Sequence, residues 1–178
     1  MLVSGVDESQ VPDTTPVEVA GTLARMKAEA VAADLTDASG LLLGCDSVLG
    51  FDGHILGKPD NPDDARGRWQ RMRGRSGVLH TGHHLINMAT GVAVNEVATT
   101  TVHFAEISDA EIDAYIATGE PLWVAGAFTI DGLGGPFVDR IEGDHGNVIG
   151  LSLPLLRRMC AQVGVPLVSL WRSTDGAE

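Results

Sequence analysis

Apolar residues recur at helical spacing after Thr15. Ala20, Leu23, Ala24, Ala30 and Val31 fall on one arc when the chain is wound at about 100° per residue. Thr15 stands where an N-cap belongs, Pro16 suits the first helical position, and Glu18 can close a capping box. Lys27 lies inside the same arc, between Leu23 and Val31, whereas Glu18, Arg25 and Glu29 fall on the opposite side. A lysine at the edge of such a stripe snorkels to water. One near its centre must meet an anion or line a cleft.

The next pattern has a different period. Residues 40–49 form an apolar run too short for a typical helix, as in a strand covered on both faces, and Asp46 follows Leu41-Leu42-Leu43-Gly44-Cys45 within it. Asp52-Gly53 supplies a hairpin tip, and Asn61-Pro62-Asp63-Asp64 starts a helix that runs to about Arg73. Two strands are predicted over about 78–89 and 96–105, joined by Thr90-Gly91. Ser108 and Glu111 frame a helix that ends at Gly119. Residues 123–135 read as a glycine-rich loop and 136–141 as a short strand. Residues 151–163 form an amphipathic helix with Leu155, Leu156, Met159, Cys160 and Val163 inward, followed by a last strand over 165–170. Residues 1–6 resemble the end of a strand. Alternating strands and helices with hairpins among them give an α/β fold with a mixed sheet, one domain over residues 1–172 and a tail over 173–178.

Composition narrows the function. A formal net charge of −12 argues against broad nucleic-acid binding, which needs a basic face, but not against a small polyanion. Cys45 and Cys160, each in apolar surroundings, read as buried thiols rather than a disulfide framework. No run of 18 apolar residues and no signal-peptide pattern occurs, so a cytoplasmic protein with no membrane partner is expected.

Of the 12 basic residues only Lys27 and Lys58 are lysines. Lys58 is wedged into Gly57-Lys58-Pro59, just after the predicted hairpin. Two isolated ammonium groups flanking the strand-end carboxylate of Asp46 suggest a site for a phosphorylated, metal-bound ligand. The plainer reading makes Asp46 a turn carboxylate, and Glu8, beside Asp7 in a polar loop, a solvated one.

Other candidates carry less. His80, His83 and His84 match no standard zinc spacing, and no carboxylate lies among them to act as base. Cys45 has no histidine nearby in sequence to activate it as a nucleophile. Arg66, Arg68, Arg71, Arg73 and Arg75 point to nearly every side of their helix, as on a solvated surface with stem packing.

The ordered motifs resemble the Maf family of nucleoside triphosphate pyrophosphatases. They are Val6-Asp7-Glu8, Leu23 to Ala28, Gly44-Cys45-Asp46-Ser47-Val48, Ile55 to Pro59, Ser76 to His80, Tyr115 to Pro121, Ala125 to Phe128 and Gly143 to Leu151. The resemblance implies a long mixed sheet and two lobes around a central cleft, similar in outline to inosine triphosphatase. It implies hydrolysis of a nucleoside triphosphate to the monophosphate and pyrophosphate with Mg²⁺ or Mn²⁺, clearing modified or surplus nucleotides. Asp46 and Glu8 are then the catalytic and metal-holding acids, and Lys27 and Lys58 bind substrate. A homodimer is compatible with this reading. The rival is a catalytically weak nucleotide-binding protein that regulates cell division. A further alternative makes the lysines incidental to an α/β domain of other function.

Two departures from the family pattern stand out. Its Ser-x-Ser-Pro-Arg-Arg loop, which contacts the phosphates, has no counterpart here; roughly 25–30 residues are missing on that pattern, and low activity and solubility are expected in consequence. Where members preferring dTTP and UTP have Ala-Gly-Ala-Tyr-x-Ile-Gln-Gly, this chain has Ala125-Gly126-Ala127-Phe128-Thr129-Ile130-Asp131-Gly132. Ionised Asp131 only accepts hydrogen bonds, so it joins the substrate-binding candidates and leaves the preferred base open.

Overall fold

Helix α1 (Pro16–Asp34) opens with the predicted cap: the Thr15 hydroxyl accepts from the Glu18 N–H, and the Glu18 carboxylate closes the box. The computed structural model describes residues 2, 5–6, 11, 14–35 and 39–171. Most of the strand read at residues 1–6, the acid Glu8 and the tail from 173 lie outside the described residues. Leu2, Gly5 and Val6 belong to no regular element.

Five strands form one sheet: β1 (Leu41–Phe51), β2 (His54–Leu56), β3 (Ser76–Asn87), β4 (Ala93–Phe104) and β5 (Val138–Glu142). Their order is β2-β1-β3-β4-β5, and every pairing among the described residues is antiparallel. The parallel pairings of a mixed sheet are therefore not among them, while the α/β layering stands. Asp52 and Gly53 turn the β1–β2 hairpin with φ of 52° and 76°, the left-handed pair that matches strand twist.

Helices cover both faces. Helix α1 lies over the face bearing Gly44, Asp46, Val48 and Gly82, where Val19, Ala20 and Leu23 bury against Val48. Helix α2 (Pro62–Met72) and helix α3 (Asp109–Ala117) build a core of Trp69, Phe104, Tyr115 and Phe137 on the opposite face, with ring edges meeting ring faces at 5.4–5.9 Å between centroids. Helix α5 (Leu153–Gln162) buries Leu155, Met159 and Cys160 against Leu85 on that same face.

One predicted element fails, and one observed element went unread. Residues Leu167–Leu170 are a 3₁₀ turn, not a strand. Pro166 lacks an N–H, its carbonyl accepts from the Ser169 N–H and hydroxyl, and Val168 and Leu170 stay exposed, so local bonds replace sheet pairing. The short helix α4 (His145–Ile149), capped by Asp144 and ended by left-handed Gly150, was not predicted.

Candidate active site

Small residues bring α1 onto the sheet. A Cβ at Gly44 would sit 2.5 Å from the Ala24 carbonyl oxygen, and one at Gly82 would sit 2.1 Å from that of Ala20. Glycine at both positions lets helix backbone meet strand backbone, with Ala20, Ala24 and Ala28 fully buried between them. Asp46 pairs with Gly82 in register and faces α1. The close approach delivers Lys27 from the helix onto Asp46 from the strand, and its ammonium donates to Asp46 Oδ1.

This pair lies in a cleft of about 590 Å³. Strand β2 pairs only with Leu49, Gly50 and Phe51, so Cys45–Val48 lie beyond it and form part of the cleft wall. Lys58, just past the end of β2, lines the same cleft, as do Thr129 and Asp131 from the glycine-rich loop and Val148–Gly150 from the end of α4. Of the residues expected to act together, Lys27, Asp46, Lys58 and Asp131 therefore share one hollow. Lys58 and Asp131 are exposed, and among the described residues the Lys58 ammonium has no ion pair.

Cys45 is half-buried on the cleft wall rather than enclosed, whereas Cys160 is fully buried; both are free thiols. A histidine does lie beside Cys45: His83 pairs with it directly across β1 and β3. The imidazole is already engaged, with Nε2 accepting from the Ser152 N–H at 2.9 Å and Nδ1 therefore donating to the Thr81 carbonyl at 2.9 Å. Desolvation holds its pKa below the usual value, and burial, with the Asp46 charge second, pushes the Cys45 thiol up to about 12. A neutral, doubly bonded imidazole cannot deprotonate that thiol, so Cys45 is not an activated nucleophile; the expectation of two buried thiols holds for Cys160 but not for half-buried Cys45. His80 and His84 sit on the other face, bonded to Thr99 and Asn95.

The arginines depart from the solvated reading. Arg66 does pair with Asp113, Arg73 with Asp109 and Arg75 with Asp52 at the surface. Arg68 is buried: it pairs with Asp64 at 2.7 Å and donates to the carbonyls of Gly57 and Lys58 at 2.7 and 3.4 Å.

Sequence reading also missed Glu120. Its carboxylate accepts from the hydroxyls of Tyr115 and Thr129 and from the N–H groups of Leu133 and Gly134, at 2.6–3.0 Å. Burial raises its pKa, but the bonds from Thr129, Leu133, Tyr115 and Gly134 together outweigh it and bring the value to about 2. Glu120 thus ties down both ends of the loop that presents Asp131. The motif Tyr115 to Pro121 contained this residue, but only the folded loop reveals its partners.

Among the described residues no three His, Cys, Asp or Glu side chains gather to hold a metal by themselves. Mg²⁺ commonly takes one or two carboxylates and completes its shell with phosphate oxygens and water. The hard carboxylate of Asp46 in a cleft also lined by lysines fits a cation that arrives on a polyphosphate.

A concave site lined by two ammonium groups and two carboxylates suits a small phosphorylated ligand. The chain belongs to the Maf-like protein family, whose match spans residues 1–163. It is 60% identical over 174 residues to a "Nucleoside triphosphate pyrophosphatase" of Salinispora tropica, covering 96% of this chain and 77% of the relative. A protein of the same name from Streptomyces coelicolor is 55% identical over 175 residues, covering 98% and 85%. Another from Gloeothece citriformis is 50% identical over 169 residues, covering 95% and 85%.

Proposed function

We propose that the protein hydrolyses a nucleoside triphosphate between the α- and β-phosphates, releasing a nucleoside monophosphate and pyrophosphate. The observation that carries this reading is the convergence of Lys27, Asp46 and Lys58 on one cleft. The names of the relatives supply the reaction class.

The triphosphate's negative charge repels attacking water. Lys27 and Lys58 offset that charge from two sides of the cleft, where partial exclusion of water strengthens the attraction. A bound Mg²⁺ or Mn²⁺, held by Asp46 and Glu8 with the phosphates, would supply Lewis-acid polarisation. The two acids share a second task, orienting the water and taking its proton as its oxygen bonds to the α-phosphorus. The bond from that phosphorus to the bridging oxygen breaks, and pyrophosphate leaves with the electron pair. Glu8 enters through family resemblance alone.

Asp131 faces the nucleoside end, and Glu120 steadies the loop that carries it. The substrates are modified or surplus nucleotides of the cytoplasm, consistent with two free thiols. No helix among the described residues is long and apolar enough to cross a membrane.

The test is pyrophosphate release from a panel of canonical and modified nucleoside triphosphates with Mg²⁺ or Mn²⁺, run in ¹⁸O-labelled water. Label in the monophosphate supports attack at the α-phosphorus. Label in pyrophosphate contradicts it, and binding without release favours the regulatory rival.

A further inference from the structure

Helix α2 holds two walls of the cleft with consecutive residues. Arg68 reaches the carbonyls of Gly57 and Lys58, and the Trp69 indole N–H donates to the Ala127 carbonyl at 2.8 Å. The two walls also meet each other, because the Gly126 N–H donates to the Gly57 carbonyl at 3.1 Å. Strand β2 stops at Leu56 and Pro59 offers no N–H, so Gly57-Lys58 has no sheet partner to fix it. Arg68 supplies that anchor. The Asp60 N–H bonding Asp64 at 3.1 Å, and the Asn61 cap of α2, secure the following residues.

The anchor is costly. Arg68 is 9% exposed, and among the described residues its Nε has no hydrogen-bond partner. A buried guanidinium in a spot where an apolar side chain could pack is weak evidence for stability, because desolvating the ion pair offsets its attraction. What the planar fork uniquely provides is one rigid group that spans Asp64 and two successive carbonyls. Those carbonyls belong to Lys58 and the residue before it.

We infer that Arg68 is a positioning residue for the phosphate grip of Lys58: it fixes the Gly57-Lys58 backbone so that the ammonium projects into the cleft. This rests on the pyrophosphatase reading above for the identity of the ligand. A shift of about 1 Å in a catalytic group can cost up to about 100-fold. Loss of the anchor should therefore weaken substrate use through Lys58, not through the fold.

The experiment is a double-mutant cycle of Arg68→Met and Lys58→Met in the full chain. It reads kcat/KM for pyrophosphate release and Kd for an α,β-imido nucleoside triphosphate, which cannot be cleaved at that bond. Arg68→Met alone should lower kcat/KM and weaken analogue binding about 10- to 100-fold. In the Lys58→Met background the same change should alter Kd within about twofold. Arg68→Lys should recover part of the loss, and Arg66→Met, at the surface of the same helix, should be silent. If Arg68→Met loses its cooperative melt, Arg68→Lys takes its place in the cycle. An undiminished penalty in the Lys58→Met background, or no penalty in wild type, overturns the inference while leaving the pyrophosphatase reading intact. Non-additive analogue binding without any turnover supports the inference and removes that reading. Neither turnover nor binding removes both.

Discussion

Replacing Gly82 with alanine perturbs the candidate site without touching any charged group in it. The added Cβ would lie 2.1 Å from the Ala20 carbonyl oxygen and 2.8 Å from the Gly21 nitrogen. A relaxed carbon–oxygen contact is roughly 3.3 Å, so α1 and β3 must separate by about 1.2 Å. The obstacle is backbone at the middle of a packed interface, where no side chain can swing aside. Overpacking of this kind costs about 3 kcal/mol, at the upper end of the usual range. For a chain of this size that corresponds to a Tm lowered by about 6–12 °C. The same displacement carries Lys27 away from Asp46, so pyrophosphate release should fall about 10- to 100-fold under conditions where the variant remains folded. Differential scanning fluorimetry and steady-state pyrophosphate release measure the two effects. Gly67→Ala is the matched control: it sits within α2, its added Cβ meets nothing within 4 Å, and it should stabilise by about 0.5–1 kcal/mol with unchanged rate. A Gly82→Ala protein with wild-type Tm and wild-type rate would refute the claim that close helix–strand approach sets the Lys27–Asp46 pair.

Other outcomes follow from the loop that carries Asp131. Because the folded pKa of Glu120 is depressed, its stabilising contribution is present above its ordinary value of 4.5 and is lost as pH falls toward about 2. Melting curves should therefore show wild type losing stability more steeply than Glu120→Gln between pH 4.5 and 2; parallel curves would remove the network's energetic role. Asp131→Gln replaces an acceptor-only group with one that also donates. It should reorder kcat/KM across nucleobases while leaving release of pyrophosphate possible, and an unchanged ranking would exclude Asp131 from base recognition.

The parts legible in the sequence were those written in local chemistry. Thr15 and Glu18, Ser108 and Glu111, and Asp52-Gly53 each satisfy backbone groups within a few residues, and each turns up as read. Lys27 was legible because a cation at the centre of an apolar arc demands an anion, and Asp46 is that anion. What was hidden depends on register and packing between distant segments. His83 lies opposite Cys45 only because β1 and β3 pair in one particular register. Arg68 looked like its surface neighbours, since helical spacing cannot tell which arginine meets Gly57 and Lys58 across a loop. The stretch 167–170 carried strand-like residues, yet Pro166 and Ser169 offered the backbone a local alternative.

The most direct measurement of the central claim is single-turnover pyrophosphate release by Asp46→Asn beside wild type, with saturating Mg²⁺ or Mn²⁺ and matched melting temperatures. Asparagine preserves the size of the side chain but can neither accept water's proton nor present the same charge to a cation. The account predicts a loss of at least about 100-fold in the rate of release. A folded Asp46→Asn protein that releases pyrophosphate as fast as wild type would contradict it.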